Sequence, residues 1–426
     1  MSKTCRGVLW LLAVLFIVFG CKRQDVAASC RSLEGFVKGN AFAVADPGGT
    51  SIDSCRPDQP MVPASILKIA TVSAALDILG PDHRFLTEFY TDHQNNLYIK
   101  GLGDPTLMAE EVQALTAALY QRGLRQVKTL YIDDSAFALE HQVPGQEQSD
   151  NPYDAPVGPL SVNFNSVPLQ KNASGTIQSA ELQTPLLPIM EDLGRSKQPG
   201  IHRINICTGG CAADARMGQY AGELFQAMLQ NAGVTAGHYG GLRPVPPQAA
   251  LIYTHQSTQT LREICATLLH YSSNFMANLV FLACGVKQYG YPATWAKARK
   301  AVQGTLSRQL DRASAAAIVQ VEGSGLSRDN QVTARAMLRL LQVFRPNKEL
   351  LGSERGVLVK TGTLTGVYNF AGYLPDGRAF VILLNQPENK RAAVLAQLLQ
   401  RYPAVPVTKL PVVSSRSANR QAVSGR

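Results

Sequence analysis

At 426 residues, with 45% hydrophobic and 17% charged residues, 35 glycines and 24 prolines, the chain has the composition of a globular, turn-rich protein of two or three structural units. Its formal charge is +10, yet no aromatic-interleaved basic stripe accompanies it, which argues against nucleic-acid binding. Such a charge favours association with polyanionic envelope polymers and by itself specifies no reaction.

Residues 1–20 read as a signal peptide: Lys3 and Arg6 precede an apolar run, 8–19, that is shorter than the roughly 20 residues a membrane span needs. Gly20-Cys21 then resembles a lipobox junction, at which Cys21 takes the lipid and becomes the new N-terminus. Cleavage near Ala27 or Ala28 is the competing reading, and an uncleaved anchor a third. The chain is expected in the periplasm, tethered to a membrane through Cys21, with a formal charge of +8 once Lys3 and Arg6 are gone.

After Pro63, residues 64–79 are rich in Ala, Leu and Ile and stop at Gly80-Pro81, the pattern of a buried helix with Ser65 in its first turn. From 85 to about 253 the texture changes to short strand-like runs, such as 97–100 and 129–132, broken by Gly, Pro, Asn and Asp. Helical periodicity returns over 261–282 and 334–344. Three apolar, β-branched runs follow, 356–360, 367–374 and 378–384, the last two joined through an Asp376-Gly377 hairpin turn. Residues 391–402 read as a helix. The expected organisation is one unit from 21–85 and 255–402, interrupted by a β-rich insert at 86–254, with a disordered basic tail at 403–426.

Of eight cysteines, Cys5 and Cys21 belong to the export segment. Proximity in sequence suggests pairing Cys30 with Cys55, Cys207 with Cys211 and Cys265 with Cys284, with free buried thiols as the alternative. Zinc is disfavoured, because Cys207 and Cys211 lack a second Cys or His pair at ligand spacing.

Three short motifs carry the chemistry: Ser65-Ile66-Leu67-Lys68, Ser272-Ser273-Asn274 and Lys360-Thr361-Gly362. Each alone has a bland reading, respectively a helix start with a solvated Lys, polar residues in mid-helix, and a strand end with a turn. Together they converge. Residues i and i+3 of a helix share a face, which brings the Lys68 amine to the Ser65 hydroxyl. A serine needs a base, and a lysine is one only when burial or nearby positive charge lowers its pKa; Lys360 supplies that charge. Lys360, Thr361 and Thr363 suit a carboxylate, Ser272 a proton relay, and Asn274 the task of holding Lys68 and the substrate amide. The Ser65 and Thr363 backbone N–H groups suit an oxyanion hole. No Gly-x-Ser-x-Gly elbow or His-Glu-x-x-His site competes.

With these motifs the sequence resembles the D-alanyl-D-alanine carboxypeptidase/endopeptidase family of low-molecular-mass penicillin-binding proteins, the group with a large insert after the first motif. The matching segments are PASILK at 63–68, GLGDPTL at 101–107, PLSVNFNS at 159–166, YSSNFMA at 271–277, EGSGLSR at 322–328 and KTGTLTGVYNFAGY at 360–373. The 207 positions from Ser65 to Ser272 exceed what a compact β-lactamase places there. The resemblance implies an α+β penicillin-binding/β-lactamase-like transpeptidase fold, in which helices cover an antiparallel sheet and a β-rich region is inserted. It implies a serine-type peptidase that trims or cleaves D-Ala bonds of peptidoglycan stem peptides through an acyl-enzyme on Ser65. No cofactor or metal is called for, and β-lactams are acylating inhibitors. It places Gly362 and Arg328 beside Thr361 and Thr363 in substrate binding, and Asn163 or Asn165 where some members read diaminopimelate. Asp104 is read as a turn residue. Only 32 positions separate Arg328 from Lys360, so a Gly-rich family segment is missing there, and Thr365 replaces a polar amide. The alternative is an envelope-anchored penicillin- or peptidoglycan-binding protein with little turnover.

Overall fold

The computed structural model describes residues 39–139 and 143–403; Cys21, Cys30, the signal segment and the basic tail lie outside them. The chain opens with β1 (Ala41–Ala45) and β2 (Ser51–Cys55), then a 3-10 turn (Ala64–Leu67) that runs into α1 (Lys68–Ile78). There follow β3 (Leu86–Thr91), β4 (Leu97–Gly101), α2 (Ala109–Gln121), β5 (Gln126–Asp133), β6 (Ser166–Lys171), β7 (Ile177–Ser179), α3 (Pro188–Gly194), β8 (Gly200–Asn205), α4 (Ala213–Asn231), β9 (Thr235–Leu242) and β10 (Ala250–Gln256). The helices α5 (Leu261–Tyr271), α6 (Asn274–Tyr289), α7 (Trp295–Gln309), α8 (Arg312–Ala316) and α9 (Ala334–Phe344) lead to β11 (Gly352–Glu354), β12 (Val357–Leu364), β13 (Val367–Tyr373), β14 (Ala379–Leu383) and α10 (Arg391–Arg401).

The first and last parts of the chain meet in one six-stranded antiparallel sheet, ordered β11-β12-β13-β14-β1-β2. Both of its faces are covered, so its central strands read as unbroken apolar runs rather than alternating ones. Small side chains, Ala41, Ala43, Ala45, Ala371 and Ala379, face the helical layer that contains α1, α6 and α9. Large ones, Phe42, Phe370, Phe380 and Ile382, pack against Val394, Leu395 and Leu398 of α10 on the other face. Each of those phenylalanines contributes roughly 1.5–3 kcal/mol through burial. This three-layer body is the helix-covered antiparallel sheet expected of the transpeptidase fold.

The segment between β2's sheet and α5 has its own core, which joins Phe89, Ile99, Leu130 and Val167 to Leu115 of α2 and Phe225 of α4. It holds a five-stranded sheet, β10-β3-β4-β5-β9, and a three-stranded one, β7-β6-β8. The β4–β5 and β5–β9 pairs are parallel. Parallel neighbours need crossovers, and helices α2 and α4 lie on these connections. The sequence reading missed both helices, although Val112, Leu115 and Leu119 of α2 mark one buried helical stripe.

Two further expectations are corrected. Residues 261–282 are two helices, not one, because Ser272 adopts a left-handed backbone (φ 58°) that closes α5, and Ser273 then caps α6 by accepting from Met276 N. Cys265 and Cys284 are buried free thiols; each sits inside the helical core, and Cys284 Sγ donates to Val280 O within its own helix. Cys207 and Cys211 are bonded. Cys55 is in a disulfide, and its expected partner Cys30 lies outside the described residues.

Candidate active site

Ser65 stands in the 3-10 turn at the entrance to α1, and residues of four other segments clamp that turn. Asn369 of β13 donates to the carbonyls of Val62 and Pro63, and Asn385 accepts from Val62 N. Ala64 has a left-handed backbone (φ 49°), a conformation that costs an L-residue roughly 1–3 kcal/mol and persists only where surroundings enforce it. Two glycines permit the close approach. A Cβ on Gly325 would lie 2.0 Å from the Ala64 carbonyl oxygen, and one on Gly362 would lie 2.6 Å from that of Pro63. Gly362, expected to bind substrate, thus serves to bring β12 against the serine turn.

One helical turn on, Lys68 is fully buried. Its Nζ lies 2.8 Å from Ser65 Oγ, 2.8 Å from Asn274 Oδ1 and 2.7 Å from the Ser324 carbonyl oxygen. Burial holds its pKa well below the usual lysine value, helped by the charge of Lys360 and opposed by Glu322. A neutral amine has two N–H groups and one lone pair. With Asn274 Oδ1 and Ser324 O taking the two hydrogens, the lone pair is left for the Ser65 hydroxyl.

Glu322 sets the Ser324 carbonyl in place. Its buried carboxylate accepts from the backbone N–H groups of Ser324, Gly325 and Leu326, from Ser324 Oγ and from Asn330 Nδ2. From the α6 side, Asn278 Oδ1 accepts from Gly323 N at 2.7 Å. Asn274 and Asn278, one turn apart, therefore fix both Lys68 and the 322–330 loop.

Lys360 on β12 donates to Ser272 Oγ at 2.9 Å, and burial together with Arg391 lowers its pKa to about 8. The five expected chemical residues, Ser65, Lys68, Ser272, Asn274 and Lys360, are thus gathered from the 3-10 turn, α1, the α5–α6 junction, α6 and β12. A cleft of about 800 Å³ is lined by Ser65, Ser272, Asn274, Thr361, Thr363 and Arg328. Arg328 Nη2 donates to the Thr365 carbonyl at 2.6 Å, beside the two-residue turn between β12 and β13.

Asn163 and Asn165 are not brought to the cleft. Asn163 Oδ1 accepts from Ala109 N at the start of α2 and its Nδ2 donates to Tyr220 Oη; Asn165 Nδ2 donates to Pro156 O. Asp104 accepts from Thr106 N and Oγ1 in a tight turn. The sequence reading did not identify Glu147, Tyr153 and Asp154, which the insert contributes to the cleft wall, nor Tyr271, which is 73% exposed at its rim. Gly145 brings that wall in, since a Cβ there would lie 2.5 Å from Ser327 Cα.

Compared with known proteins, the chain matches the model of the D-Ala-D-Ala carboxypeptidase 3 (S13) family over residues 25–192 and 210–351. The chain belongs to this family. A D-alanyl-D-alanine carboxypeptidase of Actinomadura sp. (strain R39) is 28% identical over 449 residues, covering 88% of this chain and 82% of that protein. The D-alanyl-D-alanine carboxypeptidase DacB of Haemophilus influenzae is 25% identical, covering 76% of this chain and 80% of its own. The fold of this S13 member is that of the crystal structure of penicillin binding protein 4 (dacB) from Haemophilus influenzae, with a TM-score of 0.70 at 22% identity over 89% of this chain and 98% of that one.

Proposed function

We propose that Ser65 is the nucleophile of an acyl-enzyme pathway and Lys68 its general base. The overall activity is that of the family: serine-type D-alanyl-D-alanine carboxypeptidase action on peptidoglycan peptides. The observation that carries the residue roles is the buried Lys68 amine, 2.8 Å from Ser65 Oγ with both its hydrogens engaged elsewhere.

In this reading Lys68 takes the Ser65 proton as Oγ attacks the carbonyl carbon of the penultimate D-Ala. The oxyanion is met by the Ser65 and Thr363 backbone N–H groups, a contribution on the order of 3 kcal/mol per donor in acyl-transfer enzymes. The C–N bond breaks, and the proton reaches the leaving amine through Lys68 and Ser272. Lys360, Thr361 and Thr363 hold the terminal carboxylate, and Arg328 borders the peptide side chain. Lys68 then takes a proton from water as the water oxygen attacks the ester carbonyl. The C–Oγ bond breaks, the trimmed peptide leaves as its carboxylic acid, and Lys68 gives that proton to Ser65 Oγ, which restores the hydroxyl and the neutral amine. β-Lactams acylate the same serine.

The apolar run at 8–19 and Gly20-Cys21 support export to the periplasm with Cys21 lipidated, which the intact mass of the processed protein tests. For the chemistry, the decisive experiment is labelling with a fluorescent penicillin, followed by peptide mapping. An adduct on Ser65 that Ser65→Ala lacks is expected; no adduct in either protein removes the nucleophile assignment.

A further inference from the structure

Arg391 opens α10, outside the three motifs and beyond the stretch matched to the family. Its Nη1 donates to Thr363 Oγ1 at 2.6 Å and lies 3.4 Å from the Gly362 carbonyl oxygen. The guanidinium sits 4.9 Å above the Phe370 ring centroid, so it is stacked as well as hydrogen-bonded. Thr363 in turn lines the cleft together with Ser65 and Thr361.

A threonine hydroxyl has one hydrogen and two lone pairs. Once Arg391 occupies a lone pair, the hydroxyl hydrogen is free to point at an acceptor in the cleft. A hydroxyl that already accepts from a cation is also the stronger donor, because hydrogen bonds in a chain polarise one another. The acceptor that best fits a polarised hydroxyl backed by a guanidinium and an ammonium is an anion, and a planar carboxylate suits it. Around Arg391 the charged and titratable groups are Lys360 on β12, Tyr368 on β13 and Glu354 on β11; around Lys360 they are Arg391 and Lys68. Lys360 carries the second positive charge of this subsite, and Glu354 partly offsets the first.

We infer that Arg391 is a positioning residue for the substrate's terminal carboxylate: it orients the Thr363 hydroxyl into the cleft and adds positive charge behind it, so that selectivity for a free C-terminal acid depends on the last helix. This rests on the acyl-enzyme reading of Ser65.

The test compares wild type, Arg391→Gln and Arg391→Lys on an acyl-D-Ala-D-Ala peptide and on its C-terminal amide. In Arg391→Gln, kcat/KM for the free acid is expected to fall at least tenfold, chiefly through KM, while kcat/KM for the amide stays within twofold. Arg391→Lys restores part of the acid preference through its charge. The alkaline limb of the acid's profile also moves to higher pH in Arg391→Gln, because Lys360 loses a neighbouring cation and holds its proton longer. Equal losses on acid and amide would mean a merely structural role, and unchanged kcat/KM on both would mean none; either overturns the inference. Thermal melting of each variant shows whether α10 still docks. If wild type fails to acylate Ser65 with penicillin, the underlying reading fails, and this inference with it.

Discussion

The Ser324 carbonyl accepts a hydrogen bond from Lys68 Nζ at 2.7 Å, across 256 positions of sequence, and Glu322 helps set its direction by gathering the N–H groups of the three residues that follow Gly323. Replacing Glu322 with Gln puts an N–H₂ against donors. The expected cost is about 2–4 kcal/mol of stability, as for an unsatisfied buried network, and at least a tenfold loss in acylation rate. Chemical denaturation and the rate of penicillin labelling measure the two; unchanged labelling in Glu322→Gln would detach the loop from the chemistry.

In the acyl-enzyme reading proposed above, the two lysines set opposite limbs of the pH profile. Lys68 acts neutral, so acylation rises with pH as Lys68 loses its proton, and that limb lies well below the ordinary lysine range because burial and Lys360 disfavour its charge. Lys360 acts charged, so carboxylate binding weakens as pH passes about 8. The dependence of kcat/KM on pH is expected to be bell-shaped. Lys360→Arg keeps a charge that does not titrate in this range and is expected to remove the limb near 8; a limb that persists unchanged would assign it to another group.

Two glycines separate crowding from propensity. Gly325→Ala forces a Cβ to 2.0 Å from the Ala64 carbonyl at φ +84°, and is expected to abolish labelling of Ser65 and lower stability by several kcal/mol, on the order of 3 or more. Gly304, in the exposed middle of α7, has nothing within 4 Å of a built Cβ. Gly304→Ala is expected to stabilise by about 0.5–1 kcal/mol and leave labelling intact. Melting temperatures of the pair decide it.

Cys265 and Cys284 are buried, and burial pushes the Cys265 thiol above its ordinary range and that of Cys284 up to about 12. A thiol held protonated inside a core does not react. Iodoacetamide with peptide mapping is expected to leave both unmodified in the native protein and to alkylate both after unfolding in denaturant without reductant. Finding them linked in the unreduced protein would contradict the free thiols.

What the sequence by itself determined is local or repetitive: the three motifs, the α1 stop at Gly80-Pro81, the β13–β14 hairpin, the apolar runs of the central sheet and the length of the insert. These depend on backbone propensity, on spacing within a turn, or on a hydrophobic period, all readable from neighbours. Only the tertiary structure decided which bland reading failed. Ser272-Ser273-Asn274 looks like polar residues inside one long helix until Ser272 turns left-handed to present its hydroxyl to Lys360, 88 positions away. Asn369 and Glu322 are polar residues whose buried partners lie on other elements or across a loop, and the pairing of cysteines, the insert's acidic wall and Arg391 depend likewise on which surfaces meet. Desolvation and long-range hydrogen bonds have no sequence period, so the burial that chiefly lowers the Lys68 pKa becomes visible only when the chain has closed around it, whereas the charge of Lys360 was legible from its motif.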